Sequence, residues 1–131
     1  MNRRDSLKAI VVAGAGAGAG AAAAAPGAPI QLHLDLEVDP AKEKEMLANY
    51  AKTFRPAITK QPGFADVKLL KLRNEMAGKA PKGSLYRLII SFQTEEHRQK
   101  WVATDLHQKV WPTIEGTLKG SKYTALLYDP V

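Results

Sequence analysis

This sequence predicts an α+β domain, one antiparallel four-stranded sheet carrying its helices on a single face. Three observations predict it. Residues 30–38 alternate apolar and polar without a break, and two later stretches carry apolar residues at helical spacing. Strand-like runs at 64–73, 84–93 and 122–128 complete the order strand, helix, strand, strand, helix, strand.

In the first strand Ile30, Leu32, Leu34, Leu36 and Val38 share one face, while His33, Asp35 and Glu37 take the other. Asp39 is placed to cap a helix with Pro40 at its first position, and Met46, Leu47, Tyr50, Phe54 and Ile58 recur at helical spacing. Pro56 is expected to kink that helix or end it early, because it brings no N–H and crowds the preceding turn. The turn Gln61, Pro62, Gly63 leads into a second strand reaching about Arg73. Val67 and Leu69 point one way and Leu70 and Leu72 the other, so either both faces are buried or a bulge shifts the phase. Asn74 to Gly83, with Gly78 and Pro81 inside it, is a loop longer than most hairpin connections.

The third strand, Ser84 to Gln93, sets Tyr86, Leu88, Ile90 and Phe92 against Leu85, Arg87, Ile89 and Ser91. Thr94 with Glu95 and Glu96 starts the second helical region, acids at its positive end. Trp101, Val102, Leu106, Val110, Trp111 and Ile114 line that region. Pro112 disturbs the turn containing Gln108, so two shorter helices are expected, the second capped by Thr104. Beyond Gly116 and Gly120, Lys122 to Tyr128 is the last strand.

The order βαββαβ is the ferredoxin-like plan. Its helices cover one face, which leaves Leu70, Leu72, Leu85 and Ile89 on a face too apolar to stay wet. A second sheet is expected to cover it, and hence a homodimer.

Residues 1–28 read differently from the rest. Arg3 and Arg4, then Leu7 and Lys8, precede a weakly apolar Ala/Gly tract that ends in small residues. Charge, apolar run and cleavable site in that order resemble a twin-arginine export signal, cut after Ala25 or Ala28. Ser6 and Asn2 depart from its commonest form. The expectation is a protein carried out by the twin-arginine translocase and working in the periplasm or beyond, with residues 29–131 as its one domain.

Of the 19 basic residues three lie in that leader, and of the 13 acidic ones only Asp5, so the remainder carries +4. Its bases are interleaved with acids and not with stacking aromatics, which argues against nucleic acid as a partner. With no cysteine in the chain, disulfides, thiolate-held clusters, covalent c-type haem and cysteine nucleophiles are excluded. His33, His97 and His107 have no ligand spacing, and no metal is expected.

Pro62, Gly63 and Phe64, the Thr94 helix start, and the run from Trp101 through Asp105 to His107 resemble the antibiotic biosynthesis monooxygenase-like family. The likeness spans Ile30 to about Tyr128. It implies a dimeric α+β barrel with a small pocket between sheet and helices in each subunit. Family members include cofactor-free oxygenases of phenols and quinols, haem-degrading enzymes and barrels without an established reaction. Trp101 falls where the haem-degrading branch has its pocket tryptophan, but Trp111 stands where that branch has its histidine. No cofactor is expected, with haem or flavin left as alternatives.

For chemistry, His107 and Trp101 are the candidate catalytic residues. Trp111 lies one helical turn beyond His107, and an imidazole between aromatic walls could take a phenolic proton. The plainer reading is a surface or capping histidine. Tyr50, Phe54 and Trp111 are candidate walls for a flat aromatic ligand, or ordinary core. His33 and Arg87 complete the candidate pocket set. Arg87 is expected to pair with Asp35 or Glu37 on the neighbouring strand, since a lone charge there would be costly. The leading expectation is oxidation of an aromatic or quinol-type molecule with O2. The alternatives are a non-catalytic or stress-responsive binder of small hydrophobic molecules and a haem-binding barrel.

Overall fold

The computed structural model describes residues 28–81 and 84–131, so residues 1–27 of the expected export signal lie outside the described residues. The strands are β1 (Ile30–Val38), β2 (Phe64–Lys71), β3 (Tyr86–Phe92) and β4 (Leu118–Tyr128). They form one antiparallel sheet in the order β2-β3-β1-β4. The helices are α1 (Glu43–Asn49), α2 (Arg55–Ile58), α3 (Glu95–Val102) and α4 (Asp105–Glu115). This is the ferredoxin-like fold that the element order predicts.

The alternation in β1 sorts the molecule into two sides. Leu34, Leu36 and Val38 are buried under the helices with Leu88, Ile90 and Phe92 of β3, and Met46, Phe54, Ile58, Val110 and Ile114 close over them. Each such side chain contributes about 1.5–3 kcal/mol by leaving water. The other side carries rows fixed by register. Asp35 lies between Arg87 and Thr124, His33 between Ile89 and Leu126, and Gln31 between Ser91 and Tyr128. Leu70, Leu72, Leu85, Leu126 and Tyr128 are exposed there, each by 38–49%.

The first helical region departs from expectation. Asp39 does cap it, accepting from the Ala41 N–H, and Pro40–Lys42 makes a 3-10 turn leading into α1. Pro56 neither ends nor interrupts the helix. A π turn over Tyr50–Phe54 precedes it, and the Arg55 N–H reaches back to the Tyr50 carbonyl. That wider turn makes room for a ring that would crowd a regular α-turn, and α2 continues to Ile58.

β2 carries a bulge between Phe64 and Asp66. Beyond it Val67 and Leu69 turn toward the helices while Leu70 and Leu72 face out. Thr94 caps α3, Thr104 caps α4, and Pro112 sits inside α4 without ending it. β4 begins at Leu118, four residues before the strand expected from the sequence. Gly120 and Ser121, at φ of 57° and 56°, form an irregularity inside this strand, between the pairings of Leu36 and Val38. No helix among the described residues is long and apolar enough to cross a membrane.

Candidate functional site

A cavity of about 220 Å³ lies between the sheet and the α3–α4 pair. Its floor is Leu32 and Leu34 of β1, Ile90 of β3 and Ala125 of β4, all brought to one face by strand alternation. Its walls are aromatic. Phe54 enters from the π turn, and its ring centroid is 6.2 Å from both Trp101 and Trp111, edge-on to each. Tyr123 of β4 stands edge-on to Trp111 at 5.3 Å.

His107 sits within this ring of aromatics because Thr104 starts a new helix. The Thr104 Oγ1 accepts from the His107 N–H at 3.1 Å and donates to the Trp101 carbonyl at 2.7 Å. This cap turns the chain so that the imidazole lies edge-on to Trp101 at 5.1 Å and parallel to Trp111 at 6.5 Å. Its Nδ1 is buried and has no hydrogen-bond partner among the described residues. Burial, then the positive charge of Arg98, hold its pKa below the ordinary histidine value. The ring is therefore neutral near pH 7.

Among the described residues, Arg98 is the one formally charged member of the lining. Its Nε and Nη2 donate to the two carboxylate oxygens of Glu95, each at 2.6 Å, and this fork fixes the guanidinium beside the cavity. The pair raises the pKa of the arginine and lowers that of the glutamate.

Of the residues singled out from sequence, Phe54, Trp101, His107 and Trp111 meet here. Tyr50 does not line the cavity. It lies one turn earlier and stacks behind Phe54 at 6.4 Å. His33 and Arg87 do not reach it either, because the alternation of β1 and β3 turns both to the opposite face of the sheet. There Arg87 forks onto the buried Asp35, at 2.8 and 3.3 Å, as the strand pairing requires. His33 bonds to Gln31 and meets the ring of Tyr128 edge-on at 4.7 Å.

The other seven lining residues were not among the candidates, and the two polar ones, Arg98 and Tyr123, each had a signal. Arg98 precedes Trp101 by three positions on one helical face, and Tyr123 shares the phase of Ala125 in the last strand. A larger depression, about 670 Å³, opens where the 72–81 loop curls past Leu85 and Arg87. It is broad, and Asp35, Glu75 and Lys71 on its border are already engaged by Arg87, Lys79 and Glu43. The smaller, aromatic-walled cavity is the better candidate.

The cavity falls below the roughly 300–1,000 Å³ usual for drug-sized ligands, and a haem or flavin does not fit it. Nor is either histidine placed as an axial ligand, since His33 faces away and the His107 ring is held between two indoles. Among the described residues no group of three His, Asp or Glu is arranged to hold a metal ion.

No protein-family profile matches the chain, and no curated protein matches it in sequence. Solved structures do match in fold. A dimeric ferredoxin-like protein of unknown function from Jannaschia aligns with a TM-score of 0.66 at 10% identity, over 78% of this chain and 99% of that one. A proposed antibiotic biosynthesis monooxygenase from Caulobacter crescentus aligns at 0.64 and 17% identity, over 81% and 92%. A point variant of SnoaB, a cofactor-independent oxygenase from Streptomyces nogalater, aligns at 0.61 and 17% identity, over 76% and 90%. At these identities the likeness establishes the fold.

Proposed function

We propose that this protein binds a small, flat aromatic or quinol-type molecule in the aromatic cavity and oxidises it with O2, without a resident cofactor. The observation that carries this reading is the neutral, partly buried imidazole of His107, whose buried Nδ1 has no partner among the described residues, set between Trp101 and Trp111. The His107 ring lines the cavity, where a ligand hydroxyl would meet the imidazole. His107 accepts the phenolic proton, and the resulting phenolate is the electron-rich species that passes an electron to O2. The substrate supplies the electrons, so no flavin or metal is needed. SnoaB, whose fold is alike, is a cofactor-independent oxygenase, which supports the same economy here.

Two further parts belong to this reading. The exposed leucines of the open face, and the dimeric state of the Jannaschia protein, support a homodimer with facing sheets. Residues 1–28 support export through the twin-arginine translocase to the periplasm or beyond.

Oxygen uptake with reduced naphthoquinols and anthrone-type phenols tests the activity. Turnover that falls at least a hundredfold in His107→Ala is the expected result, and unchanged turnover in that variant removes His107 from the mechanism. One observation favours a second reading, a binding protein without turnover: no carboxylate lines the cavity to orient His107. Thermal stabilisation by these ligands with no oxygen consumed would select it.

A further inference from the structure

The electrostatics of the cavity say more about the ligand than its shape does. Ten of the eleven lining residues carry no formal charge at neutral pH, and the eleventh is Arg98. Its side chain is only 22% exposed and is aimed by the fork to Glu95. Two of its five N–H groups are committed to that carboxylate, and among the described residues the Nη1 nitrogen makes no hydrogen bond. A guanidinium so held is a preorganised donor for a single oxygen beside an apolar wall.

Resting on the reading of the cavity given above, we infer that Arg98 is a specificity-determining residue. It makes the site select ligands bound as an aromatic oxyanion, an ionised phenol or enol, over neutral molecules of the same shape. Three observations carry this. The lining has one positive charge and no negative one. The cavity is walled by aromatic and aliphatic side chains, so a charge acts there at a lower effective dielectric than in water. The third is the position of His107 on the same wall: burial first, and then the positive charge of Arg98, disfavours its cationic form. A potential that repels a proton from His107 attracts an anion to the same space. Glu95, turned toward Arg98, attenuates that potential and fixes its direction.

The test uses the full chain with two probes of nearly equal shape, 4-nitrophenol and 4-nitroanisole. Quenching of the Trp101 and Trp111 fluorescence reports binding, and the visible band of the phenolate reports ionisation of the bound phenol. The expected result is at least tenfold tighter binding of 4-nitrophenol than of 4-nitroanisole, with the bound phenol ionising at lower pH than the free one. Arg98→Gln abolishes the preference, its loss falling on nitrophenol more than on nitroanisole, and Arg98→Lys keeps part of it. Glu95→Gln, which frees Arg98 of its counter-ion, strengthens the preference. A merely structural pair would weaken both probes in both variants. Equal binding of the two probes by the native chain overturns the role of Arg98 and leaves the cavity standing as a ligand site. Binding of neither overturns both.

Discussion

At the scale of single residues, the imidazole of His107 and the Asp35 carboxylate show how position decides a polar group's role. His107 has its folded-state pKa pushed below the unfolded value of about 6.5, first by burial and then by Arg98. Below that value the unfolded chain holds a proton that the folded chain resists. Stability therefore falls as pH drops from about 7 toward 5, and levels off once the folded imidazole also protonates. His33 is shifted in the same direction, chiefly by burial, and contributes to the same limb. Urea unfolding midpoints measured across this range should show a shallower fall in His107→Gln than in the native protein, with the slope from His33 remaining. Asp35 presents the opposite case, a carboxylate only 6% exposed that is satisfied by Arg87. Asp35→Asn breaks that charge-assisted fork and should cost about 1–3 kcal/mol in urea unfolding. The low end is expected, because the Arg87 side chain is 46% exposed and can turn to water. Replacing the pair together, by Asp35→Leu with Arg87→Met, should cost less than the single change.

At the scale of elements, capping threonines do most of the placing. Thr104 starts α4 and, through the same hydroxyl, ties it to the last turn of α3. Thr104→Ala should lower stability by about 1 kcal/mol, weaken binding of aromatic probes to the cavity, and be largely restored by Thr104→Ser. Fluorescence titration alongside thermal melts checks both effects. Much of this scale was legible in the sequence. The alternation of residues 30–38 assigned β1 and its faces, and Thr104 marked the start of the second helix of its region, although Pro112, expected to disturb the turn at Gln108, lies inside α4 without breaking it. What was not legible lay where the backbone absorbs an irregularity. The π turn at Tyr50–Phe54 arises from accommodating Pro56 within a packed helix, and hydrophobic spacing carries no mark of it. Gly120 reads as a loop residue, yet it serves a bulge inside β4. The sequence offered Phe54, Trp101, His107 and Trp111 as candidates, but their proximity was legible only within a helix. His107 and Trp111 could be joined by counting, but Trp101 approaches across a helix boundary, and Phe54 and Tyr123 arrive from other elements.

At the scale of the whole molecule, the sheet's two faces have different fates. One is sealed by helices, and the other presents Leu70, Leu72, Leu85, Leu126 and Tyr128 to solvent around a core of satisfied polar pairs. Leu126 lies beside His33 in the middle of that surface, so a glutamate there would be buried without a partner when two sheets meet. Sedimentation velocity should show a dimer for the native protein and a monomer for Leu126→Glu, with the far-ultraviolet circular dichroism of the two alike. A native protein that sediments as a monomer at micromolar concentration would sink the facing-sheet arrangement. The pairing of Gln31 with Tyr128 across β1 and β4 has a different consequence. It sets the first and last strands' outer ends side by side, so the domain is nearly a closed loop. A short linker could join Val131 to Ala28, and new termini could open in the exposed stretch near Gly78 without moving any cavity wall. Such a circular permutant would carry a reporter or fusion partner at the hairpin, far from whatever the natural amino terminus delivers.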